Sequence, residues 1–424
     1  MKKLQNIKTN LARLSILVFL IVILWGCGRV PHLTDVAPPS SRLPFVKVLL
    51  DEVSRKHTIG GSDGGEMAIN CFKNGKRISY YSRKPVIVQA ENQKLGLYTH
   101  SGQNLDYKID RMVIASRTKN HGLTYDKKAY HGLLEFVSSS GQIRLVNIVY
   151  VEDYLKGVVP LEIGPTPEEQ VEAVKAQSVA ARTYAMAHLG QYGDESGYDL
   201  KADISDQVYG GIKIENQLVN EAVEATRGMV AVYNDQMISA YYHSTCGGTT
   251  DDIEDVWDKE AAPYLVSGHD DEACKISKYY TWRERFTADQ IILRVEQYLA
   301  QERGREVNAG RLTDIRINGR TPGGRVASIT FETTNGRFTF NKEKVRWVIK
   351  RSDNPKAILR SANFDLDIER HGNGEVREVV FRGRGYGHGI GMCQMGARGL
   401  AAKGIKFDSI LATYYKNTDL KKLY

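Results

Sequence analysis

The spacing of apolar positions divides the chain into a β-rich first part and a helical middle part. From Val46 to Val151, apolar residues come in short and often alternating runs, as in Val86–Gln89 and Ile143–Ile148, with Gly and Asn between the runs. Alternation with a period of two is typical of strands that bury one face. Apolar residues then recur at helical spacing, which predicts helices over Val151–Lys156, Thr166–Leu189 and Val219–Arg227.

The helix predicted over Thr166–Leu189 has a clear start signal. Thr166 is placed to cap it, Pro167 suits the first helical position, and Glu169 completes a capping box. The helix predicted over Val219–Arg227 is followed by Gly228, which suits a helix C-terminus.

The last third of the chain predicts a mixed lobe followed by a glycine-rich block. A helix is predicted over 286–302 and strands over 312–350, with turns at 321–324 and 335–336. We therefore predict an α+β fold with a β-rich N-terminal part, a central helical segment, an inserted α+β lobe and a C-terminal Gly-rich block. The predicted boundaries are 46–274 for the β-rich and helical segments together, 275–375 for the lobe and 376–424 for the Gly-rich block.

Composition narrows the class of protein only modestly. Of the 424 residues, 25% are charged and 42% hydrophobic, as in an ordinary folded protein. The net charge of +8 favours anionic partners such as nucleic acid, acidic lipid or acidic glycan. The sequence shows no nucleic-acid-binding motif, so we do not expect nucleic acid as the partner.

One carboxylate, Glu162, lies in an apolar turn directly before the predicted helix over Thr166–Leu189. An acid in apolar surroundings tends to have a raised pKa and is suited to general acid catalysis. A structural glutamate that only holds the joint together is the alternative.

Three blocks of this sequence resemble the SpoIID (stage II sporulation protein D) family. The first runs from Tyr154 through Glu162 to Tyr184, the second spans Ala240–Thr249 with Trp257 and Cys274 beyond it, and the third is Arg382–Ala397. The resemblance covers the chain from about Val46 to the end. It implies a lytic transglycosylase that acts on peptidoglycan strands, preferably ones stripped of their stem peptides, with Glu162 as the acid/base.

The implied reaction suits a single acid. Ordinary glycoside hydrolysis uses two carboxylates that flank the scissile bond. In a lytic transglycosylase the 6-hydroxyl of muramic acid attacks instead of water, so one residue can act first as acid and then as base, leaving a 1,6-anhydro end. Asp203, Asp206 and Asp251 remain candidates for a second acid, and no cofactor is required.

The resemblance also implies a set of glycan-binding side chains, each with a structural alternative. Arg182 either binds the lactyl carboxylate of muramic acid through two hydrogen bonds or forms a surface salt bridge. The others are predicted either to line the glycan cleft or to pack within the fold: Gln207, Tyr209, Tyr241, His243, Tyr386, His388 and Gln394.

The N-terminus predicts export. Basic residues precede the apolar run Ile16–Trp25, which is short for a membrane span of roughly 20 residues. Leu24–Cys27 resembles a lipobox, although Trp25 stands where a small residue is usual. We predict a signal peptide over 1–27, lipidation of Cys27 and a tether over 28–45, which gives a membrane-anchored lipoprotein facing the periplasm or cell wall. An uncleaved anchor and simple secretion are the alternatives.

Export changes the interpretation of the remaining cysteines. In an oxidising compartment a disulfide is the plain expectation, and Cys246 and Cys274 are the preferred pair because both fall in the second block. Zinc bound by His243, Cys246 and Cys274 is the alternative, although a full tetrahedral set is not evident. Cys393 occupies a place where the family often has serine and is predicted to be a small packing residue.

Two functions other than catalysis are compatible with the same residues. Some relatives of the family are known as amidase enhancers, which bind and stimulate a cell-wall amidase. A purely glycan-binding module is the other alternative. An enhancer is expected to be silent without its amidase, and a binding module is expected to show affinity without turnover.

Overall fold

The computed structural model describes residues 44–424, which form two compact units. Unit 1 consists of the described residues 54–123 and 132–143, and unit 2 consists of the described residues up to 53, then 124–131 and 144–424. The predicted signal peptide over 1–27, Cys27 and the predicted tether up to residue 43 lie outside the described residues.

The first part of the chain is β-rich, as its alternating pattern predicts. Its strands, in chain order, are β1 Phe45–Asp51, β2 Lys56–Gly61, β3 Met67–Lys73, β4 Lys76–Ser82, β5 Val86–Glu91, β6 Lys94–Thr99, β7 Asn104–Ile109, β8 Arg111–Ser116, β9 Leu123–Tyr125, β10 Lys128–Tyr130, β11 Leu133–Ser139 and β12 Gln142–Tyr150. Within unit 1, β11-β8-β3-β4 form one antiparallel arrangement and β2-β5-β6-β7 another.

Unit 2 carries the helices and the remaining strands of the described chain. Its helices are α1 Val151–Lys156, α2 Val159–Ile163, α3 Val171–Ala187, α4 Gln217–Ala225, α5 Ile253–Val256, α6 Ala288–Arg303, α7 Lys344–Ile349, α8 Gln394–Ala402 and α9 Phe407–Tyr414. Its further strands are β13 Leu200–Lys201, β14 Met229–Tyr233, β15 Gln236–Met237, β16 Tyr242–His243, β17 Thr281–Thr287, β18 Leu312–Arg320, β19 Val326–Thr333, β20 Gly336–Asn341, β21 Phe364–Arg370, β22 Val376–Arg384, β23 Met392–Cys393 and β24 Asp419–Lys422.

Helix α3 is the centre of the main hydrophobic core. Its small side chains, such as Ala173, Ala176 and Ala180, are buried and allow other elements to approach closely. The predicted capping box at its start is wrong. The hydroxyl of Thr166 donates to the Gly164 carbonyl (2.9 Å), and a 3-10 turn over Glu168–Gln170 comes before the helix proper, which begins at Val171 without a side-chain cap.

A second hydrophobic core lies within residues 282–381, in the region of the predicted lobe. It contains the aromatic rings of Phe286, Phe331, Phe364 and Phe381 between α6 and the sheets β17-β22-β21 and β18-β19-β20. A capping box starts α6, since Thr287 accepts from Gln290 N–H and the Gln290 side chain accepts from Thr287 N–H. The strands predicted over 312–350 are confirmed, except that 344–349 is helix α7.

Within residues 44–424, no helix is both long enough and apolar enough to cross a lipid bilayer.

Candidate active site

Glu162 lies near the end of α2, a five-residue helix between two turns. Val159 and Ile163 point into the core, whereas Leu161 is exposed and Glu162 is half-buried. The helix ends at Gly164, whose φ of +72° is a conformation that residues with a Cβ rarely adopt. The carboxylate is therefore held on a defined joint, as the sequence predicts.

Two hydrogen bonds fix the Glu162 carboxylate. The backbone N–H of Val208 donates to Oε1 (3.0 Å), and the side-chain amide of Gln394 donates to Oε2 (3.4 Å). Burial raises the pKa of this carboxyl above its ordinary value, and the two hydrogen bonds oppose the rise only in part. A carboxyl group with a raised pKa retains its proton closer to neutral pH, which is what a general acid requires.

The segment 206–211 packs against α1 and α3, the helices before and after α2, which carries Glu162. Gln207 is buried; its amide donates to the Ala181 carbonyl (3.2 Å) and the Tyr242 hydroxyl (2.9 Å), and its oxygen accepts from Tyr154 (3.1 Å). Tyr209 is also buried. Its hydroxyl donates to Asn147 (3.0 Å). The predicted sugar contacts of Gln207 and Tyr209 are corrected: these side chains hold the segment whose Val208 N–H positions Glu162.

A close approach of two backbones makes this packing dependent on glycine. Gly210 N–H donates to the Gly157 carbonyl (2.9 Å). A Cβ on Gly157 would lie only 2.5 Å from the Tyr209 ring, and one on Gly210 would lie 2.9 Å from Ile214. A larger residue at Gly157 would collide with the Tyr209 ring, and one at Gly210 would require the Ile214 side chain to move.

The C-terminal glycine-rich block reaches the site through a short parallel pair of strands. Tyr242 pairs with Met392 and His243 with Cys393, which places Gln394 beside Glu162. Gly385, Gly387, Gly389 and Gly391 all have positive φ. A Cβ at Gly391 would collide with the Tyr241 carbonyl at 2.1 Å. The alternating glycines therefore allow the block to lie flush against residues 241–243.

His388 is held as a neutral ring. Its Nδ1 accepts from Ile390 N–H (3.1 Å), so Nε2 carries the proton that is donated to the Tyr242 carbonyl (2.9 Å). Burial lowers the pKa of His388 to about 3, and the charge of Arg346 adds to this effect. Both nitrogens are used within the protein, so the ring is left to make contacts through its face.

His243 does not reach the cleft. The ring is buried, its Nδ1 lies 3.1 Å from the Ile390 carbonyl, and burial holds its pKa well below the usual range. The prediction of a glycan contact at His243 is therefore corrected.

Aromatic side chains, half-buried except for the buried Tyr184, form a cluster around Tyr241. Its ring makes edge contacts with Trp257 (4.9 Å between centroids), Tyr184 (5.9 Å) and His188 (6.0 Å), and Trp257 also contacts His388 (4.8 Å). Lys259 extends over the rings of Tyr241 and Trp257. We call these five ring residues the aromatic cluster. Tyr386 lies apart from it, against Tyr279 (4.9 Å).

Arg182 is a buried structural residue. Its Nε and Nη2 donate to the two oxygens of Glu152 (2.9 and 2.7 Å), and its other bonds reach the carbonyls of Met229 and Val223. Arg182 and Glu152 are both buried. The sequence predicts two alternative roles for Arg182, which are a surface salt bridge and a contact with the substrate carboxylate. The structure corrects both.

The candidate second acids are committed elsewhere or exposed. Asp206 accepts from Tyr184, Gln191, Tyr192 and the Lys201 N–H. Asp251 is buried in an ion pair with Arg325, a lobe residue that also donates to the carbonyls of Thr249 and Cys246. Asp203 is exposed. The groups that shift the pKa of Glu162 include no second carboxylate.

Tyr242 is a site residue that the sequence reasoning missed. Its hydroxyl accepts from Gln207, and the charge of Glu162 contributes, after burial, to a strongly raised pKa of the phenol. Neighbouring residues on a strand face opposite sides, so the side chains of Tyr242 and His243 on β16 point in opposite directions. No strand is predicted here from the sequence, so only the structure distinguishes the two.

The predicted cysteine pair is close but not bonded. Cys246 and Cys274 are free thiols, and their sulfurs lie 3.4 Å apart, whereas a disulfide requires about 2.05 Å. Cys393 and Asp270 lie beside them, and His243 is not a member of this group. Cys71 is a separate buried thiol on β3, where burial raises its pKa to about 12.

The fold is α+β, one glutamate is held at a helix joint, and the glycine-rich block supplies its hydrogen-bond partner. This is the arrangement that the three sequence blocks predict. The model of the stage II sporulation protein family (SpoIID) matches residues 139–233. A domain of unknown function matches residues 271–391. The chain belongs to the SpoIID family, because it is 31% identical to a named member and covers 76% of the length of that protein.

The relatives carry three kinds of name. Stage II sporulation protein D of Bacillus subtilis is 31% identical over 291 residues, which are 65% of this chain and 76% of that protein. An uncharacterized protein of Brachyspira hyodysenteriae is 30% identical over 376 residues, 89% of this chain and 92% of that protein. The amidase enhancer of Bacillus subtilis is 29% identical over 296 residues, and the chain spans only 40% of its length.

Proposed function

We propose that this protein is a peptidoglycan lytic transglycosylase that cleaves the bond between N-acetylmuramic acid and N-acetylglucosamine. The observation that carries the proposal is the isolated Glu162 carboxyl, which has a raised pKa and two anchoring hydrogen bonds. A hydrolase with two acting carboxylates would need a partner acid beside it.

In the proposed mechanism Glu162 acts twice. Its protonated carboxyl first donates a proton to the glycosidic oxygen as that bond to the anomeric carbon breaks. The resulting carboxylate then removes the proton of the muramic acid 6-hydroxyl as this oxygen bonds to the anomeric carbon. The proton balance closes, and the product has a 1,6-anhydro end without any water being consumed.

Aromatic side chains of unit 2 support a sugar substrate. The aromatic cluster includes partly exposed rings, and the ring faces of Trp257 and Tyr241 suit the apolar faces of sugars. The net charge of +8 favours an anionic glycan.

The proposal is tested by the chemistry of the products. The purified chain is incubated with glycan strands that an amidase has stripped of stem peptides, and the products are analysed by mass spectrometry. Products with 1,6-anhydro ends are expected. Products with ordinary reducing ends would show hydrolysis and would overturn the single-acid mechanism.

The pH profile offers a test of the Glu162 environment. Glu162 must be protonated for the first step, so kcat/KM is expected to fall as the pH rises through its pKa. The Gln394 amide stabilises the ionised form, so Gln394→Leu is expected to raise this pKa and to move the falling limb to higher pH.

The matched control for this pH experiment is Gln191→Leu. The Gln191 side chain also donates to a carboxylate, Asp206, but at an exposed position. Its pH profile is expected to match the wild type. A falling limb that stays in place, or moves to lower pH, in Gln394→Leu would contradict the assignment of Glu162 as the titrating acid.

A second candidate function is stimulation of a cell-wall amidase, which the similarity to an amidase enhancer favours. The chain is assayed with glycan alone and with a cell-wall amidase added. An enhancer is expected to release nothing alone and to increase amide cleavage by the amidase. An enhancer effect that persists in Glu162→Gln would show that stimulation does not depend on the catalytic carboxyl.

We also propose that the protein is exported and held at a membrane by a lipid on Cys27. The apolar run and the lipobox-like Leu24–Cys27 support this proposal. Metabolic labelling with a radioactive fatty acid is expected to label the wild type and not Cys27→Ala. Equal labelling of both would contradict lipidation at this residue.

A further inference from the structure

Four potential metal ligands from three distant chain segments meet in the core of unit 2. The side chains of Cys246, Asp270, Cys274 and Cys393 are all buried, and one ligand atom of each lies within 4.8 Å of every other. The Cys246 sulfur is 3.4 Å from that of Cys274 and 3.1 Å from Asp270 Oδ2. We call these four residues the thiol cluster.

The spacing of the thiol cluster suits a tetrahedral zinc ion. With Zn–S bonds of about 2.3 Å and a Zn–O bond of about 2.0 Å, the ligand atoms of a tetrahedron lie roughly 3.5–3.8 Å apart. The separations in the cluster bracket this range, so small side-chain movements would complete the geometry. Three sulfurs with one carboxylate oxygen are a donor set that zinc accepts.

Backbone N–H groups point at the sulfurs. Cys246 N–H and Gly396 N–H lie 3.1 and 3.2 Å from the Cys393 sulfur, and Gly248 N–H lies 3.3 Å from the Cys246 sulfur. Positive φ at Gly247 and Gly248 makes that tight turn accessible. Donors of this kind stabilise the thiolate, which is the form that binds metal.

An unpartnered buried oxygen provides an independent observation. Asp270 Oδ1 is buried and has no hydrogen-bond partner among the described residues, which is costly for a carboxylate. The hydroxyl of Tyr414 is also buried without a hydrogen-bond partner among the described residues. Both this hydroxyl and Asp270 Oδ2 lie next to Gly396. A cation at the cluster would compensate the charge of the buried carboxylate.

Four potential anions meet in the thiol cluster, and all four side chains are buried. Three thiolates and a carboxylate so close together repel one another, and a divalent ion removes this repulsion.

We propose that Cys246, Asp270, Cys274 and Cys393 bind one structural zinc ion. All four positions of the tetrahedron are filled by protein, so the site is closed and supplies no catalytic water. The ion would tie residues 246–248, the turn at 270–274 and the start of α8 together. The zinc site that was the alternative to a disulfide in the sequence analysis is thereby revised, because Asp270 and Cys393 replace His243.

The zinc would also support the candidate active site. Cys393 is the N-cap of α8, since its sulfur accepts from Gly396 N–H, and Gln394 is the first residue of that helix. Fixing Cys393 therefore fixes the amide that donates to Glu162. This proposal about the metal stands whether or not the protein is a transglycosylase.

The first measurement is the metal content of the full chain. Plasma mass spectrometry of the purified protein is expected to give one zinc per chain, and X-ray absorption at the zinc edge is expected to show three sulfur neighbours and one oxygen neighbour. Removal of zinc by a strong chelator should lower the melting temperature, and added zinc should restore it. This measurement needs no variant and so does not depend on variant folding.

The second measurement uses matched cysteine variants. Cys393→Ser is expected to lower the zinc affinity by at least about 100-fold, because a serine hydroxyl binds zinc more weakly than the cysteine thiolate that it replaces. Cys71→Ser removes an equally buried thiol outside the cluster and should retain one zinc per chain. Peptide mapping without reductant should show no link between Cys246 and Cys274.

Two outcomes would overturn the proposal. One is a metal-free protein with a Cys246–Cys274 disulfide. The other is zinc that remains bound with unchanged affinity and an unchanged absorption spectrum in Cys393→Ser.

Discussion

Replacing Glu162 by Gln is expected to lower the rate of glycan cleavage by about 100-fold to 10,000-fold, because proton transfer by a positioned carboxyl contributes that much to catalysis. The amide has the same size and still accepts from Val208 N–H, but it cannot transfer a proton. The rate is measured as the release of 1,6-anhydro products from amidase-treated strands. Glu168→Gln is the matched control, since Glu168 is exposed in the neighbouring 3-10 turn and should leave the rate unchanged.

Stability and binding readouts separate lost chemistry from a lost fold. Burial holds the pKa of Glu162 in the folded protein above the value in the unfolded chain. Between these two pKa values the folded state binds more protons, so wild-type stability falls as the pH rises through that window. Above the window Glu162→Gln should melt at the same temperature as the wild type or higher, and it should still bind glycan. Undiminished cleavage by this variant would contradict the proposed mechanism.

Arg182→Ala is expected to reduce the free energy of unfolding by about 3–5 kcal/mol, because it leaves the buried Glu152 carboxylate without its cation. Two carbonyls, those of Met229 and Val223, would lose a donor as well. The loss is measured from urea unfolding curves of the two proteins. A loss of glycan affinity with unchanged stability would instead support the carboxylate-binding role expected from the sequence.

Two further variants make the Arg182 experiment specific. Arg227→Ala removes a partly exposed pair with Glu224 and should change the free energy of unfolding by less than about 1 kcal/mol. Combining Arg182→Met with Glu152→Gln removes both charges, and this double variant should be more stable than Arg182→Ala. If the double variant is no more stable, the unpaired charge is not the cause of the loss.

The helices and strands could be predicted from the sequence because neighbouring residues largely determine them. The helix over Val151–Lys156 was predicted to the residue, and the β-rich first part and the helix in the lobe were predicted to within a few residues. Hydrophobic periodicity records which face of an element is buried. The failed capping box shows the limit of this reasoning, because the Thr166 hydroxyl had a competing acceptor in the Gly164 carbonyl two residues away.

The sequence by itself determined the mixed fold, the position of Glu162 in an apolar turn before a helix and the glycine-rich block near the C-terminus. Only the tertiary structure decided which partners these residues have. Gln394 reaches Glu162 from 232 positions away, and Arg182 meets Glu152 across 30 positions. Burial patterns record that a residue is inside, but not which segment packs against it. The thiol cluster has the same origin, since the pairing of β16 with β23 brings Cys393 to a site that no spacing in the sequence reveals.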